Sequence, residues 1–365
     1  PATIPVAEPK GTPRYTYTTY PDYALYEKEE ISLCTFGRTL LDGNDFSSGR
    51  NKSYRFTLPG VTSAKATIDV GFGSNATQES TLGVYVNNKN AGNLSIGKVG
   101  SVDKGVITSA SYANTLLEQE TTVTLKHNAP AFAVNGFLDY IRLSFTRELA
   151  LRGSYTCFRG TTVSGVANFK IATSRPDTRV WRVTTPEEIE EYKGTYTDGI
   201  YTVVAPASYR EELVAVDING TFPSVEMAGE VPNQNLHSLG QTDMVIIVPS
   251  NGLFAAQAQR IADLHRELDS LTVAVVTAEQ VYNEFSSGKQ DAMAIRRFMK
   301  MFYDRSLIND INKTPSYLLL FGKAIYDNKN ITNIDIPYVV SYQSETSFDS
   351  EGSSYTSDDM FGYLG

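Results

Sequence analysis

Residues 244–248, Met-Val-Ile-Ile-Val, and residues 317–322, Tyr-Leu-Leu-Leu-Phe-Gly, decide the fold of the last third of the chain. Consecutive apolar residues are typical of strands in a parallel sheet that is covered on both faces. Residues 271–276 form a third such run, and the segments between the runs have the apolar period of helices. Thr277 and Gln280 fit a capping box at the start of one helix. The order strand, helix, strand, helix, strand predicts a parallel α/β sheet with helices on its faces.

The upstream sequence predicts β structure. Residues 25–150 alternate apolar and polar side chains between turn sequences, which indicates a β-sandwich of the jelly-roll type. Residues 1–24 predict an extended arm, and residues 151–242 predict a β-rich connector domain. The predicted fold class is therefore multidomain β plus α/β. The last domain, residues 243–365, is expected to be the first half of a parallel α/β domain, since its sheet stops at the third strand.

Composition and charge exclude some classes of function. Of the 365 residues, 41% are hydrophobic and 20% are charged, which is ordinary for a globular protein. The net charge is −9 and the basic residues are scattered, so no nucleic-acid partner is expected. No apolar run is long enough to predict a membrane-spanning helix. Because the sequence starts at Pro1 rather than Met, we expect a piece of a longer precursor.

Two cysteines and three histidines could supply nucleophilic or acid–base chemistry. Cys34 lies near the start of the predicted sandwich and Cys157 lies just after its end, and the sequence leaves open whether they form a disulfide. Neither cysteine follows a predicted parallel strand, where ligands of open sheets usually bind. His127, His237 and His265 are distant from both cysteines along the chain. The residues alone predict no catalytic nucleophile.

The polar segment after residue 322 is rich in carboxylates. Clustered carboxylates can bind calcium, so Asp327, Asp358 and Asp359 are candidate metal ligands. The alternative is a solvated polar loop, which Lys323 favours because it places a positive charge at the end of the strand. Calcium is thus a possible ligand, and no other cofactor is predicted.

Ordered motifs in the last third resemble those of the gingipain-type cysteine peptidases. The motifs are residues 243–249, 278–288, 318–322, 337–338, 342–347 and 357–362. Within that family the chain is most similar to the C-terminal signal peptidases and sortases of type IX secretion in Bacteroidetes, and the resemblance extends upstream to about residue 25. It implies that residues 243–365 are the N-terminal part of a caspase- or gingipain-like peptidase domain.

The resemblance also implies an activity, partners and a location. Such proteins lie on the outer-membrane cell surface, remove C-terminal sorting domains from secreted cargo and attach the cargo to anionic lipopolysaccharide. Their catalytic His and Cys follow the Ser-Asp-Asp segment, so the resemblance implies catalytic residues beyond Gly365 and none in this chain. The implied partners are the sorting domains, anionic lipopolysaccharide and outer-membrane components of type IX secretion. The chain alone is expected to be inactive.

Two further expectations concern the completion of the sheet and an alternative function. A parallel sheet of three strands exposes an edge, so we expect the missing half of the domain, or a second copy of the chain, to supply further strands. A different hypothesis for function is a non-catalytic module in which the β-sandwich binds glycan or cargo.

Overall fold

The computed structural model groups the chain into two compact units. It describes residues 3–34, 37–44, 46, 51–129, 136–227, 229–325, 327–331, 338–348 and 354–365. The first unit contains residues 1–28, 44–98 and 107–227, and the second contains residues 29–43, 99–106 and 228–365. Two short segments from the N-terminal half therefore belong to the α/β unit. The domain limits drawn from the sequence stay predictions.

The first unit contains a sandwich of two four-stranded sheets. The first nine strands are β1 (Thr16–Tyr17), β2 (Thr19–Glu27), β3 (Asn51–Thr57), β4 (Ala66–Ser74), β5 (Ser80–Val86), β6 (Lys89–Ile96), β7 (Val106–Thr115), β8 (Glu120–Asn128) and β9 (Gly136–Glu148). One sheet has the order β2-β9-β4-β7 and the other the order β3-β8-β5-β6. Ile68 and Val70 on β4, with Ile141 and Leu143 on β9, are completely buried at alternating positions. The predicted fold class, with a sandwich from period-two strands, is confirmed.

Strand β2 corrects the prediction of an extended arm through residue 24. Thr19–Glu27 pairs with β9 in antiparallel register, from Thr19 opposite Glu148 to Glu27 opposite Tyr140. The strand contains Pro21, which argues against a strand in the sequence. Proline is tolerated here because β2 lies at the edge of its sheet.

A second pair of sheets follows in the same unit. Its strands are β1 together with β10 (Tyr155–Phe158), β11 (Val166–Ala172), β12 (Arg179–Arg182), β13 (Glu190–Tyr192), β14 (Gly194–Thr197), β15 (Ile200–Pro206) and β16 (Leu213–Val216). The sheet orders are β1-β11-β15-β14 and β10-β16-β12-β13. Phe158, Phe169 and Tyr201 are buried in the core of this pair of sheets. The connector predicted to be β-rich is itself a layered β structure.

The second unit contains the parallel sheet. Its elements are β17 (Met244–Val248), α1 (Ala255–Leu268), β18 (Val273–Thr277), α2 (Ala278–Phe285), α3 (Ala292–Asn309), β19 (Tyr317–Leu320), β20 (Ala324–Ile325), β21 (Val339–Val340), β22 (Tyr342–Gln343) and β23 (Thr356–Ser357), with short 3-10 turns at Leu236–Ser238, Ile311–Lys313 and Asp359–Phe361. The order is β18-β17-β19, and both pairings are parallel. The predicted α/β arrangement is therefore confirmed.

Helices cover both faces of β17. Ile246 lies in a buried cluster with Ala258 and Ala262 of α1. Val245 lies in a separate buried cluster with residues of α2 and α3, among them Phe298. Both faces of the strand are thus apolar because both are covered. Among the described residues, no helix is long and apolar enough to cross a membrane.

Phe298 tests the α3 side of this core. Its ring is fully buried between those of Phe285 and Phe302, at centroid distances of 5.1 and 5.2 Å. We expect Phe298→Ala to reduce the free energy of unfolding by about 3–5 kcal/mol, because it leaves a cavity. Ile308→Ala on the same helix is the control, since Ile308 is 83% exposed and should change stability by less than about 0.5 kcal/mol. If urea denaturation shows that both variants lose the same free energy of unfolding, the assignment of the buried face of α3 is contradicted.

Candidate functional site

A cavity of about 970 Å³ lies in the second unit. Its walls come from segments that follow β18 and β19, namely residues 289–293, 327–331 and 340–343, and from residues 30–34 and 37–40. In open parallel sheets, ligands meet the segments after the carboxyl ends of the strands. The cavity is therefore the candidate functional site.

Arg38 holds the N-terminal wall of the cavity in place. Its Nε donates a hydrogen bond of 2.9 Å to the carbonyl of Gln343, and its guanidinium lies 5.3 Å from the ring centre of Tyr342. The backbone N–H groups of Arg38 and Thr39 both donate to Oγ of Ser347 at 2.9 Å. A charged donor that also stacks on a ring is among the stronger polar contacts.

Gly37 lets the wall approach closely. Its φ of +109° is in the region that favours glycine, and an added Cβ would lie 2.5 Å from Cβ of Ser347. Any other residue at this position would be strained and would displace the segment that carries Arg38.

Cys34 lines the cavity, and its Sγ contacts a backbone carbonyl. The Sγ donates to the carbonyl of Ser347 at 2.6 Å. A carbonyl cannot accept the thiol proton as the imidazole of a cysteine peptidase does. Cys157 lies on β10 in the first unit, where burial and then the charges of Glu212 and Asp22 raise the pKa of its thiol.

Each of the three imidazoles bonds to a group other than a thiol. The partners are the Phe46 carbonyl at 2.9 Å and the Ser80 hydroxyl at 3.0 Å for His127, the Glu284 carboxylate at 2.6 Å for His237, and the Asp269 carboxylate at 2.7 Å for His265. These contacts do not form the thiol–imidazole pair of a cysteine peptidase. That the chain contains no catalytic residue stays a prediction.

The three candidate metal ligands have different environments. Asp327 is 7% exposed, lines the cavity, and accepts a hydrogen bond of 3.0 Å from the N–H of Ile331. Asp358 precedes the 3-10 turn that contains Asp359, and burial followed by the charge of Asp359 raises the pKa of its carboxyl. Among the described side chains, no three His, Cys, Asp or Glu residues are grouped so as to hold a metal ion. The calcium site stays a prediction.

Asn328 is a candidate binding residue that the sequence does not predict. Its Nδ2 donates to the carbonyl of Ser341 at 2.7 Å, and its own carbonyl accepts from Gln290. Its Oδ1 is buried on the cavity wall without a hydrogen-bond donor among the described residues. An unpaired buried acceptor is costly, so an occupant with an N–H or O–H group would be stabilised at this position.

Glu284 of α2 fixes the segment that leads into β17. Burial raises the pKa of its carboxyl, but hydrogen bonds from Leu236, Gln234 and His237 outweigh that effect and lower the pKa to about 2. The His237 ring also stacks on Phe285, with 4.6 Å between centroids. The segment that precedes β17 is therefore hydrogen-bonded to α2, the helix that follows β18.

Comparisons with known proteins agree with this fold. Residues 237–365 match the family model of peptidase family C25. The fold is similar over the whole chain to the crystal structure of dimeric latent PorU from Porphyromonas gingivalis, with a TM-score of 0.82 and 24% identity. The match covers 100% of this chain and 36% of that chain. The predicted resemblance to gingipain-type cysteine peptidases is thus confirmed at the level of fold and of the residues that match the family model.

Other similarities are much weaker. A family 35 carbohydrate binding module from an environmental isolate is 12% identical with a TM-score of 0.25, over 37% of this chain and 98% of that chain. The insecticidal delta-endotoxin Cry8Ea1 from Bacillus thuringiensis is 16% identical with a TM-score of 0.23, over 29% of this chain and 22% of that chain. Neither similarity bears on function at these scores. No curated protein matches the chain.

The low pKa of Glu284 predicts a pH dependence of stability. The carboxyl titrates in the folded chain at about 2, below its ordinary value of 4.5, so its stabilising effect is complete above about pH 4.5 and is lost as the pH falls toward 2. We expect Glu284→Gln to lower the melting temperature at pH 6 and to differ less from the wild type near pH 3. Glu279→Gln, at an exposed position of the same helix, is the control. If the difference in melting temperature between Glu284→Gln and the wild type is the same from pH 6 to pH 3, the lowered pKa of Glu284 is contradicted.

Alkylation of Cys34 tests the Arg38 contact. In a Cys157→Ser background, we expect Arg38→Ala to raise the rate at which iodoacetamide modifies Cys34 by about tenfold, which corresponds to about 1.4 kcal/mol of local stability. The control is Arg296→Ala, which removes an arginine of the same unit that bonds the carbonyl of Tyr363. If both variants react at the wild-type rate, Arg38 does not hold this wall.

Proposed function

We propose that the chain is part of a PorU-like cysteine peptidase and sortase, which removes C-terminal sorting domains from type IX secretion cargo and joins the cargo to anionic lipopolysaccharide at the outer-membrane surface. The observation that carries this proposal is the coincidence of the C25 match, residues 237–365, with the parallel sheet and its cavity. The likeness to PorU over the whole chain supports it.

The catalytic pair is proposed to come from polypeptide outside these 365 residues. Covalent catalysis by cysteine needs a thiolate within hydrogen-bond reach of an imidazole. Cys34 donates to a carbonyl, and burial, followed by the charges of Glu212 and Asp22, disfavours the thiolate of Cys157. The role of this chain would then be to supply part of the sheet and the walls of the substrate site.

The edge of β19 that faces away from β17 supports the proposal that part of the domain lies outside these residues. The N–H of Tyr317 donates to Asp243 at 3.0 Å and that of Phe321 to Ile247 at 2.8 Å, so these groups point toward β17. Because N–H groups alternate in direction along a strand, those of Leu318 and Leu320 point to the other edge. Among the described strands, β19 has only β17 as a neighbour. We propose that a further strand of the same domain, or of a second copy, pairs there.

Peptidase assays separate this proposal from a nucleophile within the chain. Residues 1–365 alone should not cleave a fluorogenic peptide that spans the junction of a cargo protein and its sorting domain. The natural polypeptide that contains these residues should cleave it in a thiol-dependent reaction, and should retain that activity after Cys34→Ser and Cys157→Ser. Activity of residues 1–365 that disappears with Cys34→Ser would overturn the proposal.

The sortase step needs its own measurement. With lipopolysaccharide present, the same polypeptide should give a cargo–lipopolysaccharide conjugate, detected as a shift in mass of the cleaved cargo. If cleavage yields only cargo with a free carboxyl end, the peptidase part of the proposal stands and the sortase part is rejected.

A further inference from the structure

One face of the sheet β2-β9-β4-β7 has an irregularity that the peptidase proposal does not use. Gly71 pairs with Tyr140, but the next residue, Phe72, pairs with Leu138, so Asp139 is an extra residue in β9. This is a β-bulge, a feature that redirects side chains and occurs frequently beside functional sites. The hydrophobic side chains Phe72 and Leu138 are buried, whereas Asp139 and Tyr140 are half-buried.

The bulge brings Asp139 and Tyr140 over the same glycine. An added Cβ on Gly71 would lie 2.6 Å from the ring carbon Cε1 of Tyr140 and 2.8 Å from Oδ2 of Asp139. The ring and the carboxylate therefore occupy the space of a missing side chain. Glycine within a strand often marks such a close approach.

A second ring lies farther along the same face. The guanidinium of Arg142 lies 5.3 Å from the ring centre of Tyr23, which is 58% exposed. Arg142 is directly opposite Asp69 on β4. Tyr23 is opposite Ser144, four residues along β9 from Tyr140, so the backbone positions of the two tyrosines are about 14 Å apart along the strand.

This combination fits a sugar better than a protein. A pyranose ring has an apolar C–H face that can lie on an aromatic ring, and hydroxyl groups that bond to carboxylates and guanidinium groups. Protein–protein interfaces are depleted in Asp, whereas this face carries Asp69 and Asp139. The two carboxylates outnumber the single Arg142, which disfavours an anionic sugar.

We propose that this face of the sandwich binds a neutral oligosaccharide, with sugar rings on Tyr140 and Tyr23 and hydroxyl groups bonded to Asp69, Asp139 and Arg142. All of these residues belong to the first unit. The proposal therefore stands independently of the peptidase assignment, which rests on the second unit. It also differs from the anionic lipopolysaccharide of the sortase step, because it concerns a ligand without charge.

Calorimetric titration of residues 1–365 tests the proposal directly. The probes are maltohexaose, cellohexaose, xylohexaose and mannohexaose, with a hexamer of galacturonate as the acidic counterpart. At least one neutral hexamer should bind at millimolar concentration and the galacturonate hexamer should not. Tyr140→Ala and Tyr23→Ala should each weaken binding about tenfold, whereas Tyr140→Phe keeps the stacking ring and should bind nearly as well as the wild type.

A matched pair on the other sheet provides the control. Lys126 lies 4.4 Å from the ring centre of Tyr85, and that ring reaches to within 3.0 Å of an added Cβ on Gly83. Tyr85→Ala therefore removes a similar ring beside a cation and a glycine, and should leave binding unchanged. Circular dichroism confirms that each variant is folded.

Three results would overturn the proposal. They are the absence of binding by every neutral hexamer, a loss of binding in Tyr85→Ala but not in Tyr140→Ala, and stronger binding of the galacturonate hexamer. Light scattering adds a further criterion. If Tyr23→Ala dissociates a dimer of the chain and leaves sugar binding unchanged, the face is a protein interface instead.

Discussion

The burial of β17 on both faces is the constraint on which the second unit depends. A strand with apolar residues at every position, Met244–Val248, is stable only if helices cover both of its faces and other strands satisfy its backbone on both edges. The crossovers through α1, and then through α2 and α3, meet both requirements, since they return the chain to β18 and β19. Part of the cavity wall comes from segments that follow these strands, so the position of that part depends on the sheet.

The parts of this unit that follow local rules could be predicted from the sequence. Apolar runs predicted the three parallel strands, and Thr277 with Gln280 predicted the capping box that the structure contains. The contact of Arg38 with Gln343 could not be predicted, because it joins residues 305 positions apart and no pattern in the sequence links the two. The same holds for Asn328, since only its three-dimensional surroundings show that its oxygen lacks a donor.

In the β modules, too, contacts between distant segments could not be predicted from the sequence. Alternation predicted strands, but the pairing of Thr19–Glu27 with β9 depends on an edge position that tolerates Pro21. The bulge at Asp139 also leaves no local signal, because one extra residue in a strand is recognised only from the register with its partner. The proposed sugar site rests on that register, whereas the proposed peptidase role rests on the parallel sheet. The two proposals therefore rest on different units of the chain.

Among the described strands, β19 pairs only with β17, and residue-resolved amide hydrogen exchange of residues 1–365 as a monomer measures whether its other edge is open. The N–H of Phe321 bonds to Ile247 and should exchange slowly, whereas those of Leu318 and Leu320 should exchange much faster because they point away from β17. Equal protection of all three amides would show that β19 already has a second neighbour, and would contradict the account.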